Sequence, residues 1–383
     1  MKLVVDGLIY EKETQGGISR VFNEVLPRMC DMDPSLAVNV FTKQGRVRQA
    51  PPAHRQIVHR VIPRVESYLR PQRVWTQSLR ESGQGLLRRW SMGSGKGALW
   101  HSTFYSLPGR WDGRQVVTFH DLGFQRLTHL FNQPDHDKHR EQMRRCLWEA
   151  DIVIAVSEAT SRDIQDFYGI DDKKIRVVPL GCSSSFHVLD ESARPWPAPK
   201  ERPFLLYVGH RMCYKNFGVL LEAYGGWRQR KDVDLVVVGG KKWSAEERQQ
   251  LARFAIAEHV HAVGPVDDVT LARLYNQAVA YVCPSLYEGF GIPLLEAMAC
   301  GCPVVSSRIP SSRELAGDCA VYFEPTAVDG LVAALDTAVS AGRKSPRIAQ
   351  GLQRAREYSW DATARLTLAA YREATGSHSP VEK

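Results

Sequence analysis

Short apolar runs of strand length alternate with longer amphipathic stretches along this chain, and the series occurs twice. The first series has strand-like runs at 2–8, 38–42, 98–102, 115–121, 151–156 and 175–179. The second has them at 204–209, 235–238, 260–263, 280–283, 303–306 and 320–323. Helical periodicity fills the gaps, as where Ile18, Val21, Phe22, Val25 and Leu26 share one face. A strand–helix–strand repeat needs crossover connections, and these build parallel sheets covered by helices on both sides. The pattern predicts an α/β protein of two Rossmann-like β/α/β domains facing across a cleft. In such sheets ligands bind outside the carboxyl ends of the strands.

The break between the series falls at 183–202, which contains Pro195, Pro197 and Pro199 and has no periodicity. A chain of 383 residues suits two domains. The expected division is 1–185, a linker at 186–202, a second domain at 203–357, and a last helix at 358–375. No apolar run approaches the length that spans a bilayer. The N-terminus, Met1 to Gly7, reads as a first strand and not as a signal peptide. Eight cysteines without a CxxC pair read as buried free thiols of a reducing cytoplasm.

The net charge of +8 is concentrated. Between Arg46 and Arg89 stand ten arginines, no lysine, and only Glu66 and Glu81 as acids. A solvated loop region is one reading of that segment. An anionic membrane surface or lipid phosphate is a second, and nucleic acid is a third, less favoured one. The segment at 61–90 could also hold one or two helices carrying Tyr68, Trp75 and Trp90.

The richest stretch for chemistry runs from Pro284 to Gly301. Glu288 lies on a glycine-bracketed loop and Glu296 eight residues on, near a helix start. Backbone N–H groups of Phe290, Gly291 and Ile292 would point out of that helix, where negative or polar ligands are favoured. In the same half, Arg211 and Lys215 follow the strand-like run at 204–209. Two cations at a strand-to-helix turn suit a pyrophosphate better than they suit each other; an exposed basic pair is the plain alternative. In the first half, Gly16-Gly17 opens a helix and allows either a tight turn or close approach of a ligand. His120 and Asp121 stand at a strand end, His120 being read as a substrate contact or as a structural histidine. The strings Asp31-Met32-Asp33 and Asp232-Val233-Asp234 sit outside strand-end loops and read as chance, so no metal is expected.

Taken together, the Glu288–Glu296 pair in its Gly-Phe-Gly-Ile-Pro-Leu-Leu-Glu-Ala-Met-Ala context resembles the family 4 retaining glycosyltransferases, which use nucleotide sugars and have the GT-B fold. Gly16-Gly17-Ile18, His120-Asp121, Ser157-Glu158, 178–181, 207–209 with Arg211 and Lys215-Asn216, Gly264 and 358–360 extend the likeness over nearly the whole chain. The resemblance implies that Glu296 accepts both ribose hydroxyls of the donor and that Arg211 and Lys215 neutralise its diphosphate. It implies that Glu288 and the amides of Phe290, Gly291 and Ile292 hold the sugar, and that the loop with Val266 meets the base. Gly17 would let the N-terminal, acceptor-binding domain close over the diphosphate, His120 would lie beside the transferred sugar, and the last helix would cross back to that domain. One departure is the Arg211-xxx-Lys215 spacing, where many relatives have the cations adjacent or five apart.

The stretch 207–216 looks like that of bacterial mannosyl- and rhamnosyltransferases. The implied donor is GDP-mannose or a related GDP-hexose, with a UDP-hexose as the alternative, and no cofactor beyond the donor is expected. The implied acceptor is a lipid-linked or growing glycan of surface polysaccharide such as lipopolysaccharide. The implied location is the cytoplasmic face of the inner membrane, held peripherally. A non-catalytic nucleotide-sugar-binding partner is the rival class. A nicotinamide-dependent dehydrogenase would need a glycine fingerprint that neither first strand carries.

Overall fold

The computed structural model describes residues 1–12, 16–63, 91–190, 202–211 and 213–376. The expectations for 64–90, most of the 186–202 linker and the extreme C-terminus therefore lie outside the described residues. The chain divides into two compact units. The first takes described residues from Met1–Leu122, Asn132–Leu180 and Trp360 onward; the second takes Gly123–Phe131 and Gly181–Ser359.

Among the described residues the first unit holds seven strands: β1 (Lys2–Val5), β2 (Ala37–Lys43), β3 (Ile57–Ile62), β4 (Ala98–Ser102), β5 (Arg114–Phe119), β6 (Ile152–Ala155) and β7 (Ile175–Val177). They form one sheet in the order β3-β2-β1-β4-β5-β6-β7, and every pair is parallel. Val4 pairs with Asn39 on one side and Trp100 on the other. Interior strands such as β4 and β6 are buried at every position, as expected of a sheet covered on both faces.

Among its described residues the second unit holds six: β8 (Phe204–Val208), β9 (Asp234–Val238), β10 (Val260–Gly264), β11 (Ala280–Cys283), β12 (Val304–Ser307) and β13 (Val321–Phe323). Their order is β10-β9-β8-β11-β12-β13, again all parallel. Both sheets wind outward in two directions from a first strand. Each therefore has a switch point, between β1 and β4 in one and between β8 and β11 in the other, where loops diverge and leave room for a ligand.

Two elements differ from the sequence reading. The run at 57–62, inside the arginine-rich region, is the edge strand β3. The first strand stops at Val5, and a short helix, Leu8–Lys12, follows it. The C-terminal helix Trp360–Ala374 belongs to the first unit. Asp361 pairs with Arg28 at 2.9 Å, Thr363 donates to the Pro179 carbonyl at 2.8 Å, and Tyr371 bonds the ring of His101.

Candidate donor site

At the switch point of the second unit, the turn after β8 faces the loop after β11. Lys215 ends a short 3-10 turn, Cys213–Lys215, and its ammonium meets both Glu288 oxygens at 2.6 and 2.8 Å. The Ser285 hydroxyl donates to the same carboxylate at 2.7 Å. The side chains are 20% and 16% exposed, so the pair is largely desolvated yet reachable. Burial alone would depress the lysine; the Glu288 and Tyr214 side chains outweigh it and hold the ammonium above its usual range. The two loops are also stitched through the backbone, with the Leu286 amide donating to the Tyr214 carbonyl at 2.9 Å. Asn216, in the left-handed conformation at φ 56°, gives its amide to the carbonyls of Pro284 at 3.0 Å and Pro325 at 2.7 Å. Lys215, expected at the diphosphate, and Glu288, expected at the sugar, are thus in direct contact.

Arg211 is placed differently. Its Nε donates to Glu247, its Nη groups to the carbonyls of Gly239 at 3.1 Å and Lys241 at 2.7 Å, and its charged carbon lies 4.5 Å from the Trp243 ring centre. Gly240, at φ 72°, makes this possible: a Cβ there would stand 2.5 Å from Arg211 Nη1. Burial draws the Glu247 carboxyl upward, but the bonds from Arg211 and the Ser244 amide win and hold it below its usual range. Each expected diphosphate cation therefore has its own carboxylate, Glu288 or Glu247. Glu247 was not singled out from the sequence, although Ser244 and Glu247 form a capping box legible there.

Glu296 is the fifth residue of the helix Ile292–Ala299 and is only 2% exposed. Its Oε2 accepts a hydrogen bond from the Tyr275 hydroxyl at 3.2 Å. Tyr275 lies in the preceding helix, Asp268–Gln277, and nothing in the sequence spacing marks it as a partner. Gly291, at φ 102°, caps the N-terminus of the Ile292–Ala299 helix, which starts with Ile292 and Pro293. Phe290 is buried and meets Tyr358 edge-on at 5.8 Å. Val266 is half-buried in the loop between β10 and the Asp268–Gln277 helix.

In the first unit, His120 follows β5 and is 7% exposed. Its Nε2 has no hydrogen-bond partner among the described residues. Burial pushes the ring down to about 3, against a smaller opposing effect from the Thr103 backbone, so it is neutral at ordinary pH. Phe22 packs edge-on against it at 6.0 Å. Gly17 is the first residue of the helix Gly17–Met32, is exposed, and has open space where a Cβ would stand. The switch point of this unit carries Asp6, which the sequence reading left aside. Asp6 accepts from the Leu8 amide at 3.1 Å, from the Ser102 hydroxyl at 3.1 Å, and from the hydroxyls of Thr103 and Ser106. Of the two DxD strings, Asp33 bonds Ser35 and Arg372, and Asp234 bonds His259 and His261.

The Glycosyltransferase Family 4 model matches residues 15–186, and the model for glycosyl transferases group 1 matches residues 189–354. O-antigen chain mannosyltransferase B of Escherichia coli is 30% identical over 302 residues, 74% of this chain and 76% of that protein. MMP alpha-(1->4)-mannosyltransferase of Mycolicibacterium hassiacum is 30% identical over 239 residues, 61% of this chain and 57% of that protein. Among solved structures, sucrose-phosphate synthase of Thermosynechococcus elongatus superimposes with a TM-score of 0.76 at 18% identity, over 98% of this chain and 99% of that one. WaaG, a glycosyltransferase involved in lipopolysaccharide biosynthesis, gives 0.69 at 18% identity, over 98% and 100%. The two family models fall one on each half of the chain, in keeping with its two parallel sheets. The chain belongs to the family 4 glycosyltransferases and has their GT-B fold of two Rossmann-like domains.

Proposed function

We propose that this glycosyltransferase moves a mannose-type hexose from GDP-mannose, with retention, to a lipid-linked or growing glycan of surface polysaccharide. The observation that carries the reading is the likeness to the Escherichia coli O-antigen mannosyltransferase over three quarters of both chains. The chemistry of the second unit supports it. Lys215 has three N–H groups, two of them on Glu288, and a diphosphate is the anion such an ammonium would meet next. Arg211 joins it by exchanging the Glu247 carboxylate for a phosphate oxygen. Glu288, with the amides of Phe290, Gly291 and Ile292, holds the sugar hydroxyls, and the loop with Val266 faces the base. Glu296 takes the ribose hydroxyls, a carboxylate having two oxygens to offer them. Its low exposure means the nucleotide must settle deep at the end of the Ile292–Ala299 helix. In the first unit, His120 and Gly17 keep the roles that the resemblance implies.

In this reading the bond between the sugar's anomeric carbon and the diphosphate oxygen breaks while the acceptor hydroxyl attacks the same face. The hydroxyl proton passes to the departing phosphate oxygen. The cations stabilise the charge that develops on the leaving group. No metal and no cofactor beyond the donor takes part. The test is titration with GDP and UDP, followed by turnover with GDP-mannose and UDP-glucose. GDP should bind more tightly and GDP-mannose should be consumed; tighter UDP binding would transfer the reading to a UDP-hexose, and no consumption of either sugar would point to a non-catalytic binding partner.

We further propose that the arginine-rich stretch between Arg46 and Arg89 meets anionic lipid on the cytoplasmic face of the membrane. Arg46, Arg48, Arg55 and Arg60 are exposed, and no helix among the described residues is long and apolar enough to cross a bilayer. Co-sedimentation with vesicles containing phosphatidylglycerol should fall when these four are changed to glutamine and should weaken with salt. Unchanged binding would dispose of the idea.

A further inference from the structure

Arg343 is not part of any motif noted above, yet it touches both helices that carry the nucleotide end of the candidate site. It follows Gly342, which ends the helix Val328–Ala341. Its Nη2 donates to the carbonyls of Tyr275 at 2.7 Å and Ala278 at 3.1 Å. Its Nη1 donates to Gly301 at 2.6 Å and Cys300 at 3.4 Å. The first two carbonyls close the Asp268–Gln277 helix, and the other two close the Ile292–Ala299 helix. Carbonyls in a last turn lack intrahelical partners and form the negative end of the helix dipole. One planar guanidinium bonded to both ends fixes the distance and angle between them in a way that a flexible ammonium does not.

The consequence runs through Tyr275. Its carbonyl is held by Arg343, and its hydroxyl donates to Glu296, which projects from the other clamped helix. Glu296 is buried, so its aim is set by where the helices lie and not by rotation of an exposed side chain. We infer that Arg343 is a positioning residue for nucleotide recognition: it locks two helix ends together so that Tyr275 orients the Glu296 carboxylate toward the ribose. This rests on the reading of Glu296 as the ribose contact.

The experiment measures ribose preference, the ratio of affinities for a nucleotide and its 2′-deoxy form. GDP and 2′-deoxy-GDP are titrated into wild type, Arg343→Ala, Arg343→Lys and Tyr275→Phe, with UDP and 2′-deoxy-UDP in parallel. Wild type should prefer the ribose form by roughly tenfold, the scale of one hydrogen bond to a charged group. In Arg343→Ala and Tyr275→Phe the preference should shrink to about two- to threefold, and Arg343→Lys should fall between. A purely structural arginine would lower the melting temperature and weaken both forms by one factor; an unchanged ratio in the variants overturns the inference. If Arg343→Ala does not fold, an unchanged ratio in both Arg343→Lys and Tyr275→Phe overturns it equally. Absence of any ribose preference in wild type would instead remove the Glu296 reading on which the inference stands.

Discussion

The two units place opposite kinds of polarity at the same point of the same topology. Where the loops after β1 and β4 diverge, a single carboxylate, Asp6, is enclosed by one amide and three hydroxyls of its own unit. Where the loops after β8 and β11 diverge, an ammonium and a carboxylate face each other, 2.6 Å apart at the closest. The first arrangement fills the carboxylate's acceptor positions with neutral donors and ties loops together. The second holds two opposite charges that an incoming anion can exchange. Nearby groups follow the same division. The buried histidines of the first unit are neutral, while Arg211 and Glu247 in the second are a charged pair. A doubly wound sheet thus makes room for a ligand at its switch point; the side chains there decide whether the room is closed by structure or left open to chemistry.

The largest effect expected from this contrast comes from removing each of its two centres in turn. Lys215→Ala should lower turnover by at least roughly 100-fold, the scale of losing one preorganised charge beside a leaving group. Asp6→Ala should instead cost about 3–5 kcal/mol of stability, because three buried hydroxyls and one part-buried amide lose their acceptor, and should leave donor affinity near wild type. Turnover rates, calorimetric titration and melting curves on both variants decide the matter; equal loss of turnover and donor affinity in the two would erase the distinction.

Acid should separate the units next. Burial pushes His101 and His120 down to about 3 and His139 to about 4, against an ordinary value of 6.5. Between those limits the unfolded chain binds protons that the folded unit does not. The stability these rings contribute is therefore complete above pH 6.5 and is lost as pH falls toward 4 for His139 and toward 3 for His101 and His120. His101 and His120 should each remove about 1.4 kcal/mol per pH unit across that window. The melting transition that reports the first unit should move down steeply from pH 6.5 to pH 4.5, and a double change to glutamine should flatten the slope. A slope untouched by that change would show that other groups govern acid sensitivity.

The smallest effect tests the neutral network alone. The Tyr371 hydroxyl bonds His101, whose other ring nitrogen bonds Thr118 at 2.8 Å. Tyr371→Phe should cost about 1 kcal/mol and lower the melting temperature of the first unit by about 2–4 °C. Nucleotide affinity should not change; a loss there would mean that the network of the first unit reaches the donor.

Legibility in the sequence followed burial. Strands such as β6 and β11 are buried at every position and read as uninterrupted apolar runs; β4 and β9 are equally buried, their apolar runs flanked by His101-Ser102 at the end of one and Asp234 at the start of the other. β3 escaped notice because it is an edge strand whose exposed positions carry His59 and Arg60, which interrupt the apolar pattern. The short helix Leu8–Lys12 was absorbed into the first strand because Leu8, Ile9 and Tyr10 prolong its apolar run. Within the candidate site, the residue types and their loops were readable, since Arg211, Lys215 and Glu288 flank strand ends. Their pairing was not. Arg211 meets Glu247 and Glu296 meets Tyr275 through contacts between separate helices and loops, and no local periodicity encodes a contact of that range. Asp6 carries no sequence signal, because a single aspartate after a first strand looks like any turn residue until three hydroxyls converge on it.

Asn216 has a consequence beyond the stability of its turn. Its amide joins the segment bearing Lys215 to Pro284, and also to Pro325, 109 residues further along the chain beyond β13. The three segments are thereby mechanically geared. Displacing the turn that bears Lys215 therefore requires either breaking these two bonds or carrying the loops after β11 and β13 along with it.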